Sequence, residues 1–134
     1  MRPIKLEIEG LNSFETKQVL DFEKLGGGVF GIFGKTGSGK STILDAMTLA
    51  LYGKVERTKQ NIDFVNTRCS KAVVDFVFEI FQSGKNKRYR VSRTFSRKKN
   101  GKELDSSASI YLVEMAKKIL LKKAQSKLMT KSFQ

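Results

Sequence analysis

The sequence predicts an α/β fold, a mixed sheet with antiparallel strands arranged around one apolar strand that runs through a glycine-rich loop into a helix. Three observations predict it. Apolar and polar residues alternate in runs on both sides of the chain's middle, the period of strands with one wet face. The run VFGIF, residues 29–33, has no polar face and reads as a strand covered on both sides. Directly after it, GKTGSGKS at residues 34–41 leads into a stretch with helical apolar spacing that ends at Gly53.

Each element follows in order. Ile4, Leu6 and Ile8 alternate with Lys5, Glu7 and Glu9, giving a first strand, and a turn falls at residues 10–13. KQVLDF then forms a second strand, antiparallel to the first because the connection is short. From Ser41 to Tyr52, Ile43, Ala46, Met47, Ala50 and Leu51 share one helical face, and Gly53 is placed to end the helix in a left-handed conformation. Residues 54–71 form a polar connection with an apolar patch at residues 62–65. KAVVDFVFEIFQ and KRYRVSRTFSR are long strands separated by the turn SGKN, and the basic loop KKNGKE leads to a last strand, SASIYLV. We therefore expect one globular lobe over residues 1–113, followed by a basic tail at 114–134. At 134 residues and 40% hydrophobic content, one ordinary core is what the chain can bury.

Charge is unevenly placed. Residues 1–79 carry 11 basic and 10 acidic side chains, whereas residues 80–134 carry 15 and 3. The second part therefore suits a polyanionic partner, although a solvated basic face explains many such runs. Cys69 is the single cysteine, so no internal disulfide forms and a reducing compartment fits. With no histidine in the chain to activate it, Cys69 reads as a small core filler. The start, MRPIKLEIEG, spreads its charges and does not read as a signal peptide. ILDAMTLALY is about half a membrane span and includes Asp45, so no membrane and a cytoplasmic location are expected.

Residues 34–41 are a full match to G-x-x-x-x-G-K-[ST], the phosphate-binding loop, which chance places in a chain of this length on the order of once in 200. Gly34, Gly37 and Gly39 let the backbone curl around an anion. Amides from Gly37 through Ser38 to Thr42 then point at phosphates at the positive end of a helix. Lys40 places an ammonium against the β and γ phosphates, Ser41 offers its hydroxyl to Mg²⁺, and Thr42 is placed to reach the α phosphate. Lys35 and Thr36 complete the loop.

The acid that such hydrolases use to hold Mg²⁺ and position water is not evident. Asp75, in AVVDF, lies within an alternating strand and reads as a solvent-facing residue. The NKxD motif of a guanine nucleotide site is missing, because Asn86 and Lys87 are followed by Arg88 and Tyr89. A small-molecule kinase usually begins with its loop strand, whereas here antiparallel strands precede it. No residue of this chain is assigned a catalytic role.

Residues 80–102 hold nine basic side chains and no acid. On a strand, Arg88 and Arg90 share one face while Tyr89, Val91 and Phe95 share the other, so the aromatics read as core. Arg93 falls on that apolar face without an evident partner. Lys85, Lys87, Arg88, Arg90, Arg97, Lys98, Lys99 and Lys102 are the candidates for gripping nucleic-acid phosphates without reading sequence.

Taken together, IEGLNSFETKQVLDFEKL, GVFGIFGKTGSGKSTILDAMTLALYG, NTRCSKAVVDFVFEI and KRYRVSR resemble, over residues 1–113, the N-terminal end of the SbcC family, ATPase subunits of the bacterial SbcCD nuclease in the SMC-like branch of ABC-type ATPases. The resemblance implies an ABC/SMC-like P-loop NTPase lobe whose partner is a C-terminal ATPase lobe bearing the Mg²⁺-binding Asp and catalytic Glu. It implies a head-to-head homodimer of the full protein that sandwiches ATP, an SbcD-like nuclease partner, double-stranded DNA across the basic surface, and a role in double-strand-break repair and DNA end processing. By position, residues 35–42 would bind ATP, Ser41 would ligate Mg²⁺, and Asn12, Asn66 and Thr67 would lie near the nucleotide. Asn12 stands where some relatives carry a basic residue. The family continues into a glutamine loop, but Gln125 and Gln134 here lack an apolar strand before them, and the last twenty residues hold six lysines and no acid. Two other readings remain open: a basic nucleic-acid-binding module with an idle loop, and the lobe of another SMC-like ATPase such as RecN or SMC.

Overall fold

A computed structural model of the chain describes residues 1–26, 28–55 and 61–113. Strand β1 (Arg2–Glu9) buries Ile4, Leu6 and Ile8 on one face, as its alternation requires. It pairs antiparallel with the short β2 (Gln18–Asp21), Leu6 facing Leu20. Between them the chain turns tightly at Gly10, whose φ is +68°. A β-carbon there would stand 2.2 Å from the Lys71 carbonyl oxygen, so the turn requires glycine on two counts.

Helix α1 (Lys40–Tyr52) buries Thr42, Asp45, Ala46, Leu49 and Ala50. It ends at Gly53 in the left-handed conformation, whose amide donates to the Leu49 carbonyl at 2.8 Å. Strand β3 (Lys71–Gln82) pairs with β1 on one side and with β4 (Lys85–Arg97) on the other. Ser83 and Gly84, with φ of 52° and 74°, form the two-residue hairpin loop between them. Strand β5 (Leu104–Leu112) completes the five-stranded antiparallel sheet, order β2-β1-β3-β4-β5. Helix α1 packs on β3 and β4, and the core between them includes Leu6, Ile8, Leu49, Val74, Phe76 and Phe95.

The structure corrects four expectations. VFGIF forms no strand: residues 29–35 lack regular structure, and Val29 and Phe33 are almost wholly exposed. An apolar strand needs ladder partners as well as covered faces, and all pairings of the five described strands are made among themselves. Within that run Phe30 keeps an aromatic neighbour, Phe22, at 5.3 Å between ring centroids. Asp75 does not face solvent; it is 8% exposed and bound by Arg90. Arg93 has a partner, the Ala50 carbonyl at 3.3 Å, and its guanidinium sits against Gly53, where a cation complements the helix dipole. The SGKN turn is shorter than expected, because Lys85 and Asn86 already pair in β4. The tail at 114–134 lies outside the described residues. Among the described residues, no helix is long and apolar enough to cross a membrane.

Candidate nucleotide site

The loop that opens α1 takes the conformation its glycines allow. Gly37 and Gly39 have φ of 83° and 97°, a region side chains resist, and the Ser38 amide donates to the Lys35 carbonyl at 3.1 Å to close a turn. Side chains would also crowd it: a β-carbon on Gly34 would stand 2.7 Å from Ser38 Oγ, and one on Gly39 would stand 2.6 Å from Phe14 Cζ. The Lys40 ammonium donates to the Gly34 carbonyl, so both ends of the loop are held by one side chain. Gly39 caps the helix without any side-chain acceptor, and the first turn holds no acid. The first amides of α1 therefore face outward as donors, with the helix dipole behind them and no carboxylate to repel an anion. Lys35, Thr36 and Ser41 are exposed on this rim, while Thr42 is buried.

Two segments far apart in sequence brace the loop from beneath. Asn12 Nδ2 donates to Thr42 Oγ1 at 3.2 Å, and Phe14 lies against Gly39. Asn66 Nδ2 donates to the Asn12 carbonyl at 2.7 Å, and the Asn12 amide donates to the Phe64 carbonyl at 2.7 Å. Leu11 and Val65 form a bridge beside them. Asn12 and Asn66, drawn from the LNSF turn and the NTR connection, thus meet at the start of α1. Thr67 lies further along, in an open cleft of about 750 Å³ lined by Asp63, Val65, Arg97, Lys102 and Glu103.

The basic candidates divide. Arg88 donates to Glu79 and Glu23 at 2.8 Å each, and Glu79, the larger influence, raises its pKa. Arg90 is bound to Asp75, which raises its pKa likewise, and its guanidinium lies 5.9 Å from the Tyr111 ring. Arg97 donates to the carbonyls of Cys69 and Val65 at 3.2 and 2.9 Å, fastening the connection after α1 onto β4. Lys98 pairs with Glu103 and Asp105, and its pKa is raised chiefly by Glu103. Lys87 is half-buried, and Lys85, Lys99 and Lys102 stay exposed. Arg97, expected with the basic loop, and Arg88 and Arg90, which alternation placed on a nucleic-acid face, are thus committed to partners inside the protein. Sequence pattern missed this because cross-strand acids such as Asp75 and Glu79 are matched to them only by register. Cys69 is half-buried, with its thiol 3.8 Å from the Glu15 carbonyl.

A glycine-rich loop opening a helix that packs on an antiparallel sheet is consistent with a P-loop NTPase lobe. The AAA domain family matches residues 5–134, and the chain belongs to it. It is similar to the SbcC subunit of the SbcCD nuclease of Clostridium acetobutylicum, 54% identical over 113 residues that cover 82% of this chain and 9% of that protein. The corresponding SbcC subunit of Bacillus subtilis is 54% identical over 99 residues, 72% of this chain and 9% of that protein. A probable DNA double-strand break repair Rad50 ATPase of Aquifex aeolicus is 41% identical over 97 residues, 71% of this chain and 9% of that protein. The chain thus spans about a tenth of the length of these curated relatives.

Proposed function

We propose that the chain is the phosphate-loop lobe of an SbcC-like, ABC/SMC-type ATPase head that acts in DNA end processing with a nuclease partner. The observation that carries the proposal is the uncapped start of α1 behind Gly37 and Gly39 in left-handed conformations, with Lys40 at the loop's centre. Lys40 would leave the Gly34 carbonyl for the β and γ phosphates, a stronger charge-assisted partner. Amides of residues 37–42 would hold the phosphate oxygens. The Ser41 hydroxyl is a hard oxygen donor exposed on the rim, the kind of ligand Mg²⁺ takes alongside phosphate oxygens and water. Bound there, Mg²⁺ would supply neutralisation of the phosphate charge. Among the described residues no group of three or more His, Cys, Asp or Glu is placed to hold a metal.

Positioned catalytic acids would come from another lobe, and the exposed run at residues 29–33 has the composition of a strand awaiting sheet neighbours. The relatives' names, a subunit of a nuclease and a DNA double-strand break repair ATPase, support a nuclease partner and a role on DNA; double-stranded DNA as the bound form and pairing of two heads are what the family resemblance adds to the proposal.

Calorimetric titration of the chain with ATP and Mg²⁺ tests this reading. Binding that Lys40→Ala weakens at least tenfold, with negligible turnover by the chain alone, is expected. Turnover at an ordinary ATPase rate that Lys40→Ala abolishes would refute the need for a second lobe, and absence of ATP binding would refute the nucleotide site itself.

A further inference from the structure

We infer that Asn12 is a positioning residue that works through Thr42: its side-chain amide fixes the Thr42 hydroxyl as a hydrogen-bond donor toward the phosphates. The inference rests on the nucleotide site proposed above, and it concerns how that site is kept in register.

Thr42 is 5% exposed and stands in the first turn of α1. A threonine hydroxyl in the first turn of a helix is free to turn its proton onto a nearby backbone carbonyl, where it is lost to any ligand. Here Asn12 Nδ2 donates into Thr42 Oγ1 at 3.2 Å. That bond uses an oxygen lone pair, fixes the side-chain rotamer, and leaves the hydroxyl proton available for donation. An anion over the helix start is the acceptor that the surrounding loop is built for.

Asn12 can serve this purpose because its own backbone is fixed from both sides. Its φ of 47° is left-handed, a region asparagine tolerates better than most residues. Its amide donates to Phe64, and its carbonyl accepts from Asn66 Nδ2, both at 2.7 Å. The Asn66 amide in turn donates to the Gly10 carbonyl at 2.8 Å. Arg97 holds the next carbonyl bonds, at Val65 and, at 3.4 Å, Asn66. A string of bonds thus runs from β4 through the NTR connection to Asn12 and ends on the threonine of the phosphate loop. The Asn12 side chain is turned to Thr42, so its effect on a nucleotide is indirect.

A double-mutant cycle on the intact chain tests this, with ATP and ADP affinities read by calorimetry and the melting temperature of each variant read without nucleotide. Thr42→Val and Asn12→Ala should each weaken both nucleotides about three- to tenfold, the worth of one hydrogen bond. The double variant should be no weaker than Thr42→Val alone, because the two act through one hydroxyl. Asn12→Asp keeps the shape but cannot donate, and it should also weaken binding while melting close to wild type. Additive losses, or a loss confined to ATP, would place Asn12 directly on the nucleotide and overturn the inference while leaving the site standing. Wild-type affinity in Asn12→Ala would overturn it too. If the wild-type chain binds neither nucleotide, the site proposal fails first and takes this one with it.

Discussion

Arg90 clasps Asp75 across the sheet: its Nε lies 2.8 Å from both carboxylate oxygens, and a second guanidinium nitrogen lies 2.7 Å from Oδ2. Asp75 belongs to β3, where its side chain is 10% exposed, whereas the Arg90 side chain on β4 is 43% exposed. The pair is lopsided, and its two halves should respond differently to mutation. Arg90→Met strands a buried carboxylate and should cost about 2–4 kcal/mol. Asp75→Asn leaves an arginine that can reach water and should cost only about 1 kcal/mol. Urea unfolding of the two variants checks the order, and equal losses would contradict it.

Glycine at the turn after β1 is demanded by backbone, not by a movable side chain. Gly10→Ala would place a β-carbon 2.2 Å from the Lys71 carbonyl oxygen at a φ of +68°. The strained φ alone costs more than about 1 kcal/mol, and the clash adds to it by pushing β1 from β3. Thermal unfolding should fall by several degrees at the least. Gly37→Ala has no neighbour to meet within 4 Å, so at φ +83° it should cost stability only through backbone strain while still distorting the phosphate loop.

Acid should loosen the sheet through Glu7. Lys5 at 2.7 Å, and after it Lys17 at 3.0 Å, hold this carboxyl below its ordinary 4.5 in spite of burial. Because the folded value is the lower one, the stabilisation is complete above the unfolded value and is lost as pH falls through the folded value. Glu7→Gln should therefore lower the urea midpoint at pH 7, and the difference should shrink as pH falls below 4.5 and through the folded value. A constant difference across that range would contradict the assignment.

DNA affinity of the proposed basic surface should follow the exposed lysines. Lys99→Ala and Lys102→Ala should each weaken binding to any sequence and lower the slope of log affinity against log salt by about 1. Arg97→Ala should act instead on stability, since its guanidinium is bonded to carbonyls of the chain. Filter binding at several salt concentrations beside a melting curve separates the two classes.

The elements with a two-sided requirement were the legible ones. Ile4, Leu6 and Ile8 had to share one face, and Gly53 had to end the helix, so their positions follow from period and conformation. The left-handed conformations of Gly37 and Gly39 could be read for the same reason: each answers a steric demand set within a few residues. Register-dependent facts were not legible. Which acid meets Arg90, which carbonyl meets Arg93, and that Asn12 turns to Thr42 all depend on how segments distant in sequence align. VFGIF failed for a related reason, since an apolar run states what surroundings a strand would need and says nothing about which residues provide them.

The ladder that joins Ile8 to Val74 has a consequence for the order of assembly. Everything between those residues, the phosphate loop and α1 included, is a loop that β1 and β3 close when they meet, and such long closures are slow. On the ribosome, β1 must wait for β3 to emerge before it gains its central neighbour. The nucleotide cradle would then be a late product of folding, and amide protection in α1 should rise together with that of β3 and not before it.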